Sequence, residues 1–134
     1  ETAAIGDLEK ATRFVRALKE LGCHFSLDDF GVGFTSFTYL RELQADFIKI
    51  DGSFIKKLHE SHEDQVFVKA ITDLAKGLRI KSVAEFVENE KSLAILKSFG
   101  VDFAQGYFIG KPSPSLEFAG EKLTLPKKDQ RAAS

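Results

Sequence analysis

The chain has 134 residues, 43% of them apolar and 13 of them Phe, which is enough nonpolar matter to bury the core of one domain and too much for a disordered segment. Lys plus Arg number 19 against 20 Asp plus Glu, a net charge of -1, and no stretch gathers the basic residues needed to track a phosphate backbone, so DNA and RNA are excluded as expected partners. No apolar run reaches the roughly 20 residues of a membrane-spanning helix and the N-terminus lacks a signal-peptide pattern, so these residues read as cytoplasmic, with no membrane segment in this stretch.

The sequence has no Met and opens at Glu1 directly into a helical pattern, as expected of a chain that begins inside a longer protein, whose upstream region is free to carry a membrane anchor. From Asp7 to Leu21, apolar residues at Leu8, Ala11, Phe14, Val15, Leu18 and Leu21 mark one helix face, and Gly22 supplies a stop. The single cysteine, Cys23, can form no internal disulfide and reads as a small buried hydrophobe in a reducing compartment. His24 to Leu27 predicts a short strand that ends in Asp28-Asp29 and leads into a polar loop marked by Gly31 and Gly33.

The alternation then repeats. A helix is expected near Ser36 to Leu43, with Phe37, Tyr39 and Leu40 packing into the core, then a strand Phe47 to Asp51, then a long helix from about Asp64 to Leu78. The next unit is a strand Ser82 to Val87 and a helix that starts at the N-cap Asn89 and stops at Gly100. A fourth strand, Phe103 to Phe108, follows; the pattern decays after Lys111-Pro112, and residues 119–134 read as a polar tail behind a domain of residues 1–118.

Strands separated by helices imply parallel pairing, because a parallel neighbour needs a crossover that returns the chain to the same end of the sheet. Two architectures satisfy that pattern, an open doubly wound sheet and half of a (β/α)8 barrel. Each predicted strand carries ionisable or polar residues within it or at its C-terminal end: Asp28 and Asp29, Lys49 and Asp51, Glu85 and Glu88, and Gln105. In a parallel sheet those ends converge on the face where α/β proteins place their sites. Five acids and one Lys aimed at one rim point to a bound divalent cation, and oxygen-only ligation favours Mg2+ or Mn2+ over zinc. The competing reading of these acids is helix capping and surface pairing with lysines. His59 and His62 lie in a polar stretch that reads as an exposed loop, and no phosphate-cradling Gly-Lys-Ser/Thr loop is present.

The ordered set Asp28-Asp29-Phe30-Gly31-Val32-Gly33, Lys49-Ile50-Asp51, Glu85-Phe86-Val87-Glu88 and Gln105-Gly106-Tyr107 with Lys111-Pro112 is similar to the motif set of EAL domains, metal-dependent phosphodiesterases that hydrolyse cyclic di-GMP. The resemblance runs from Glu1 to about Pro112 and implies the C-terminal half of the domain, an α/β half-barrel of four parallel strands alternating with helices. It implies Asp28 and Asp29 as metal ligands, Asp28 bridging two ions, and Asp51 beside them. Lys49 and Glu88 would hold the attacking water and the surrounding ligands, and Glu85 and Gln105 would support the nucleotide and the coordination shell. Glu1 would anchor the loop Phe30 to Phe37 over the metal site.

Two positions depart from the family's usual pattern: Phe86 stands where many members have Gly or Asn, and Val32 where Thr or Ser is usual. The family's first-strand Glu, an Asn ligand and a further Glu would lie upstream of Glu1, so the two-metal site is expected to be incomplete here and the isolated fragment inactive. The resemblance implies cyclic di-GMP as partner, with the missing half-barrel or a second copy, as a homodimer, covering the exposed sheet. The alternative is a catalytically degenerate EAL domain that serves as a cyclic di-GMP receptor or protein-interaction module. A flavodoxin-like receiver domain fits less well, because Lys49 comes one strand after the acidic pair instead of on the fifth strand.

Overall fold

Runs of β-branched and aromatic residues that alternate with amphipathic runs fold into successive strand and helix units. The computed structural model describes residues 2–32, 37–112, 116–118 and 121–123. Its elements are α1 (Thr2–Glu20), β1 (Ser26–Phe30), α2 (Phe37–Glu42), β2 (Phe47–Ile50), α3 (Gly52–Ile55), α4 (His62–Gly77), β3 (Lys81–Ala84), α5 (Glu90–Phe99), β4 (Phe103–Ala104), β5 (Leu116–Phe118) and β6 (Glu121–Leu123). Strands β1 to β4 form one parallel sheet in chain order, the expected arrangement, and β5 pairs with β6 as an antiparallel hairpin.

The helix ends follow their local chemistry. Ser61 Oγ accepts the Asp64 amide at 3.2 Å, which starts α4 at His62, two residues ahead of the expected start. Asn89 Oδ1 accepts the Ser92 amide at 2.8 Å and caps α5 as predicted. Gly100 ends that helix at φ +76°, where it donates to Lys97 while Val101 reaches back to Leu96 at 3.1 Å, a left-handed cap that a residue with a Cβ adopts only at a cost. The short α3 was not foreseen: Asp51, expected as the last strand residue, instead caps it by accepting the Ser53 amide at 2.8 Å.

The two faces of the parallel sheet differ. Ile48, Ile50, Ser82 and Ala84 are fully buried under the helices, where they join Leu40, Ile55, Leu58, Val68 and Leu96 in the core. The residues between them in the pleat point the other way. That second face carries two tiers: an apolar one, in which the rings of Phe47 and Phe103 lie 6.1 Å apart, and above it the polar tier of Asp28, Lys49, Glu85 and Gln105. Phe103 is 52% exposed, so this apolar tier lies open in the chain.

Several expectations are corrected. Cys23 is exposed, not buried, because it sits in the turn between α1 and β1 with its amide held by Leu18. Leu40 is buried as expected, but Phe37 is exposed at the start of α2. β1 starts at Ser26, later than expected, and runs past Asp28 and Asp29 to Phe30. The strand expected over Ser82 to Val87 ends at Ala84, and the one expected over Phe103 to Phe108 ends at Ala104, beyond which Ile109 and Gly110 close a turn onto Gly106. His62 begins α4; half-buried His59 lies 3.4 Å from Ser92 Oγ and 3.2 Å from Glu60. Outside the parallel sheet, the β5–β6 hairpin pairs Phe118 with Glu121.

Candidate functional site

In a regular pleat two adjacent residues point to opposite faces, so Asp28 and Asp29 in an ordinary strand would face apart. The register of β1 against β2 prevents this. Leu27 is opposite Ile48 and Phe30 opposite Ile50, so β1 holds one residue more than its partner across that interval, a β-bulge. Asp29 absorbs the extra step at φ +50°, a left-handed conformation that Asp tolerates better than most side chains. Both carboxylates then reach the open face, and the Asp29 amide donates to Asp28 Oδ1 at 2.9 Å.

Glu85 meets them from the position just after β3. Ligand atoms of Asp28, Asp29 and Glu85 lie within 4.8 Å of one another, with the two Asp exposed and Glu85 buried. Lys49, on the strand between, lies 2.5 Å from Glu85 Oε1 and 3.3 Å from Asp28. The hydrogen bond to Glu85 raises the Lys49 pKa above 10.5, against the opposing effect of burial and with a further contribution from Asp28. Gln105 approaches the same Glu85 oxygen through Nε2 at 3.5 Å. Two strands and the residues just after two others thus meet in one cluster, and its carboxylates offer oxygens alone, the set that hard divalent cations take. The carboxylates fit such an ion by spacing and by charge.

The remaining expected site residues lie around this cluster. Asp51 is not among the three converging acids; its carboxylate holds the first turn of α3, and its hydrogen bonds to Ser53, opposed by burial, lower its pKa below 3.8. Glu88 is exposed and lines a cleft of about 410 Å³ with Phe86, Gln105, Tyr107, Lys111 and Pro112. Gln105 therefore touches both the cleft and the acid cluster. Glu1 and the loop residues 33–36 lie outside the described residues.

Sequence reasoning missed what brings the strand ends to this register. Gly106, at φ +154°, sits so tightly on Val87 that an added Cβ would overlap the Val87 amide and carbonyl. Val87 in turn donates to Gln105 O at 3.0 Å and accepts from Phe108 at 3.1 Å, which ties the segment after β3 to the segment after β4. At the opposite end of the sheet Asp46 accepts the Phe25 amide at 2.7 Å, and Asp102 accepts the Ser82 amide at 2.9 Å. Each Asp stands immediately before a strand. That position is the only sequence signal for either tie.

Residues 1–112 match the EAL domain family, and the chain belongs to it. It is 46% identical over 114 residues to the cyclic di-GMP phosphodiesterase PdeB of Shewanella oneidensis, a match that covers 85% of this chain and 13% of that protein. Its structure is similar to the EAL domain of DcpA from Mycobacterium smegmatis, with a TM-score of 0.76 at 34% identity over 79% of this chain and 48% of that one. It is also similar to the FimX EAL domain from Pseudomonas aeruginosa bound to c-di-GMP, with a TM-score of 0.78 at 30% identity over 88% of this chain and 48% of that one. The chain spans 13 to 17% of the length of the curated relatives it matches, and its coverage of about half of the DcpA EAL domain makes it part of the EAL barrel.

Proposed function

We propose that this chain supplies the C-terminal half of a phosphodiesterase that hydrolyses cyclic di-GMP to the linear dinucleotide with Mg2+ or Mn2+. The observation that carries the reading is the convergence of Asp28, Asp29 and Glu85 beside Lys49 on one rim of a parallel sheet. The name of PdeB and the nucleotide bound to FimX support it. In this reading Asp28 and Asp29 hold the metal with Glu85, and Asp51 stands next to them. A bound divalent pair supplies a water of lowered pKa and neutralises charge on the phosphate. Lys49 and Glu88 hold that water in position, and Gln105 fixes the Glu85 carboxylate and faces the nucleotide. The cleft between Phe86 and Tyr107 is the adjoining space for the nucleotide, and Glu1 anchors the loop above it.

In this reading residues 1–118 form the half-barrel and residues 119–134 a polar tail. Because cyclic di-GMP is an intracellular messenger, the site belongs in the cytoplasm. The open tier of Phe47 and Phe103 is covered by the remaining half-barrel, and a homodimer of the parent is part of this reading.

The test is turnover by the full-length parent with cyclic di-GMP and Mg2+, followed by chromatography of the linear product. Asp28→Asn should reduce turnover by about 100-fold while nucleotide binding persists, since the site would lose a carboxylate that holds the ion. Unchanged turnover in that variant would refute the assignment. A parent that binds cyclic di-GMP without converting it, with Asp28 intact, would be the receptor instead.

A further inference from the structure

Phe86 is the residue that the acid cluster does not explain. It lies between buried Glu85 and fully buried Val87, yet it is 49% exposed and holds φ +55°, a conformation that disfavours a side chain with a bulky Cβ substituent. Its position is a pivot. The Glu85 amide bonds Ile50 O at 3.3 Å, towards β2, whereas the Val87 amide bonds Gln105 O at 3.0 Å, towards the segment after β4. The chain changes partner across Phe86, and the left-handed turn makes that change in one residue.

The ring shows what holds the turn. It lies against Gly52, the first residue of α3, so closely that a Cβ on Gly52 would overlap ring atom Cδ2 and stand 2.7 Å from Cγ. Lys56, one turn further along, places Nζ 4.7 Å from the ring centroid. The ring is therefore seated on a bare stretch of backbone with a cation beside it. The seat belongs to the segment that carries Asp51, and the ring belongs to the segment that carries Glu85.

We infer that Phe86 and Gly52 form a ring-and-seat contact that makes Phe86 a positioning residue, fixing the Glu85 carboxylate against Asp28 and Asp29 for metal binding. The inference rests on the metal site proposed above. Strained backbone persists where surrounding contacts over-determine it, and here the seated ring is that contact. A glycine at residue 86 would adopt the turn without strain but would also leave it freely, and Glu85 would lose its fixed approach. Groups that orient metal ligands typically account for tenfold or more in metal affinity.

A double-mutant cycle in the full-length parent tests this, with Mn2+ affinity of the nucleotide-free protein read by calorimetry and turnover read separately. Phe86→Gly should weaken Mn2+ binding about tenfold. Gly52→Ala, which by helix propensity alone should be neutral or stabilising, should weaken it to a similar degree by unseating the ring. Combining the two should cost no more than either alone, and Phe86→Tyr should retain wild-type affinity. Additive losses, or a Phe86→Gly variant with unchanged Mn2+ affinity, would overturn the inference; a raised KM for cyclic di-GMP beside unchanged Mn2+ affinity would leave the ring only its place in the cleft wall. Asp28→Asn run in parallel keeps the two ideas apart: if it retains Mn2+ binding and turnover the metal site itself is wrong, whereas its failure beside an additive cycle rejects the seat alone. Folding of each variant is checked by its urea midpoint, and Phe86→Leu serves in place of Phe86→Gly if that variant does not fold.

Discussion

Lys49 Nζ lies 2.5 Å from Glu85 Oε1 across the β2–β3 pair, and the same oxygen faces Gln105 Nε2 at 3.5 Å. Lys49 thus neutralises a cluster of carboxylates that the sheet would otherwise force together. Replacing it with Met leaves Glu85 buried and uncompensated, which should cost about 2 kcal/mol of stability in metal-free protein. Added Mn2+ should then raise the melting temperature of Lys49→Met more than that of the wild type, because the ion replaces the lost charge. Since the pairing raises the Lys49 pKa, its contribution is complete below 10.5 and declines as pH rises through the higher folded value. Urea midpoints of the two proteins should therefore converge on the alkaline side of 10.5, and a gap that persists there would contradict the pairing.

The bulge at Asp29 makes a separate prediction. Asn tolerates the left-handed conformation as well as Asp does, so Asp29→Asn should keep the fold and relieve repulsion from Asp28 and Glu85. Metal-free stability should be unchanged or higher by up to ~1 kcal/mol, in the range of a single close charge interaction. Mn2+ affinity should fall by tenfold or more. Calorimetry beside chemical denaturation separates the two effects, and a variant that loses stability with its metal affinity intact would show Asp29 to be structural.

Gly106→Ala should be among the most damaging single-methyl additions available to this chain. The new Cβ meets Val87 backbone, which cannot rotate away as a side chain could, and φ +154° adds strain of its own. A loss of about 3 kcal/mol is expected, with Gln105 drawn away from Glu85. Amide hydrogen exchange of Val87 and Phe108 should report the opening, since their hydrogen bonds join the two segments.

Asp102→Ala tests the opposite end of the sheet. Burial pushes the Asp102 pKa up, but hydrogen bonds from the Ser82 amide and Lys81 outweigh it and hold the carboxyl below 3.8. Losing a charge-assisted bond to a backbone amide should cost about 2 kcal/mol at neutral pH. That contribution exists above 3.8 and disappears as pH falls through the lower folded value, so wild type and variant should converge in acid. Metal affinity should not change, as the cluster lies at the other end of the strands.

The order of strands, the parallel topology and the end of the sheet that carries the acids were legible in the sequence, because each depends on periodicity and on residues that stop helices. Asn89 and Gly100 marked their helix ends by chemistry that acts within one turn. Strand lengths were less legible. Val87 and Phe108 are apolar like strand residues, yet their amides serve the link between two segments and do not extend a ladder. The union of Asp28 with Asp29 on one face depends on the register of β1 against β2, a relation between distant segments that no local pattern encodes. The exposure of Cys23 follows from where α1 turns, and the small α3 from one carboxylate choosing an amide.

The bulge in β1 also sets the phase of everything downstream of it on that strand. Leu27 turns towards the helices, and with the extra residue at Asp29 so does Phe30, which is 8% exposed and packs in the core beside Ile50. Delete that residue and plain alternation from Leu27 through Asp28 would still carry Phe30 to the helix side, but the rim would lose its second carboxylate. The bulge therefore lets the strand carry one more carboxylate on the rim while the aromatic side chain beyond it keeps its place in the interior. A lineage free to discard the chemistry could drop the position and keep its core, whereas one that keeps the second acid must keep the irregular strand that accommodates it.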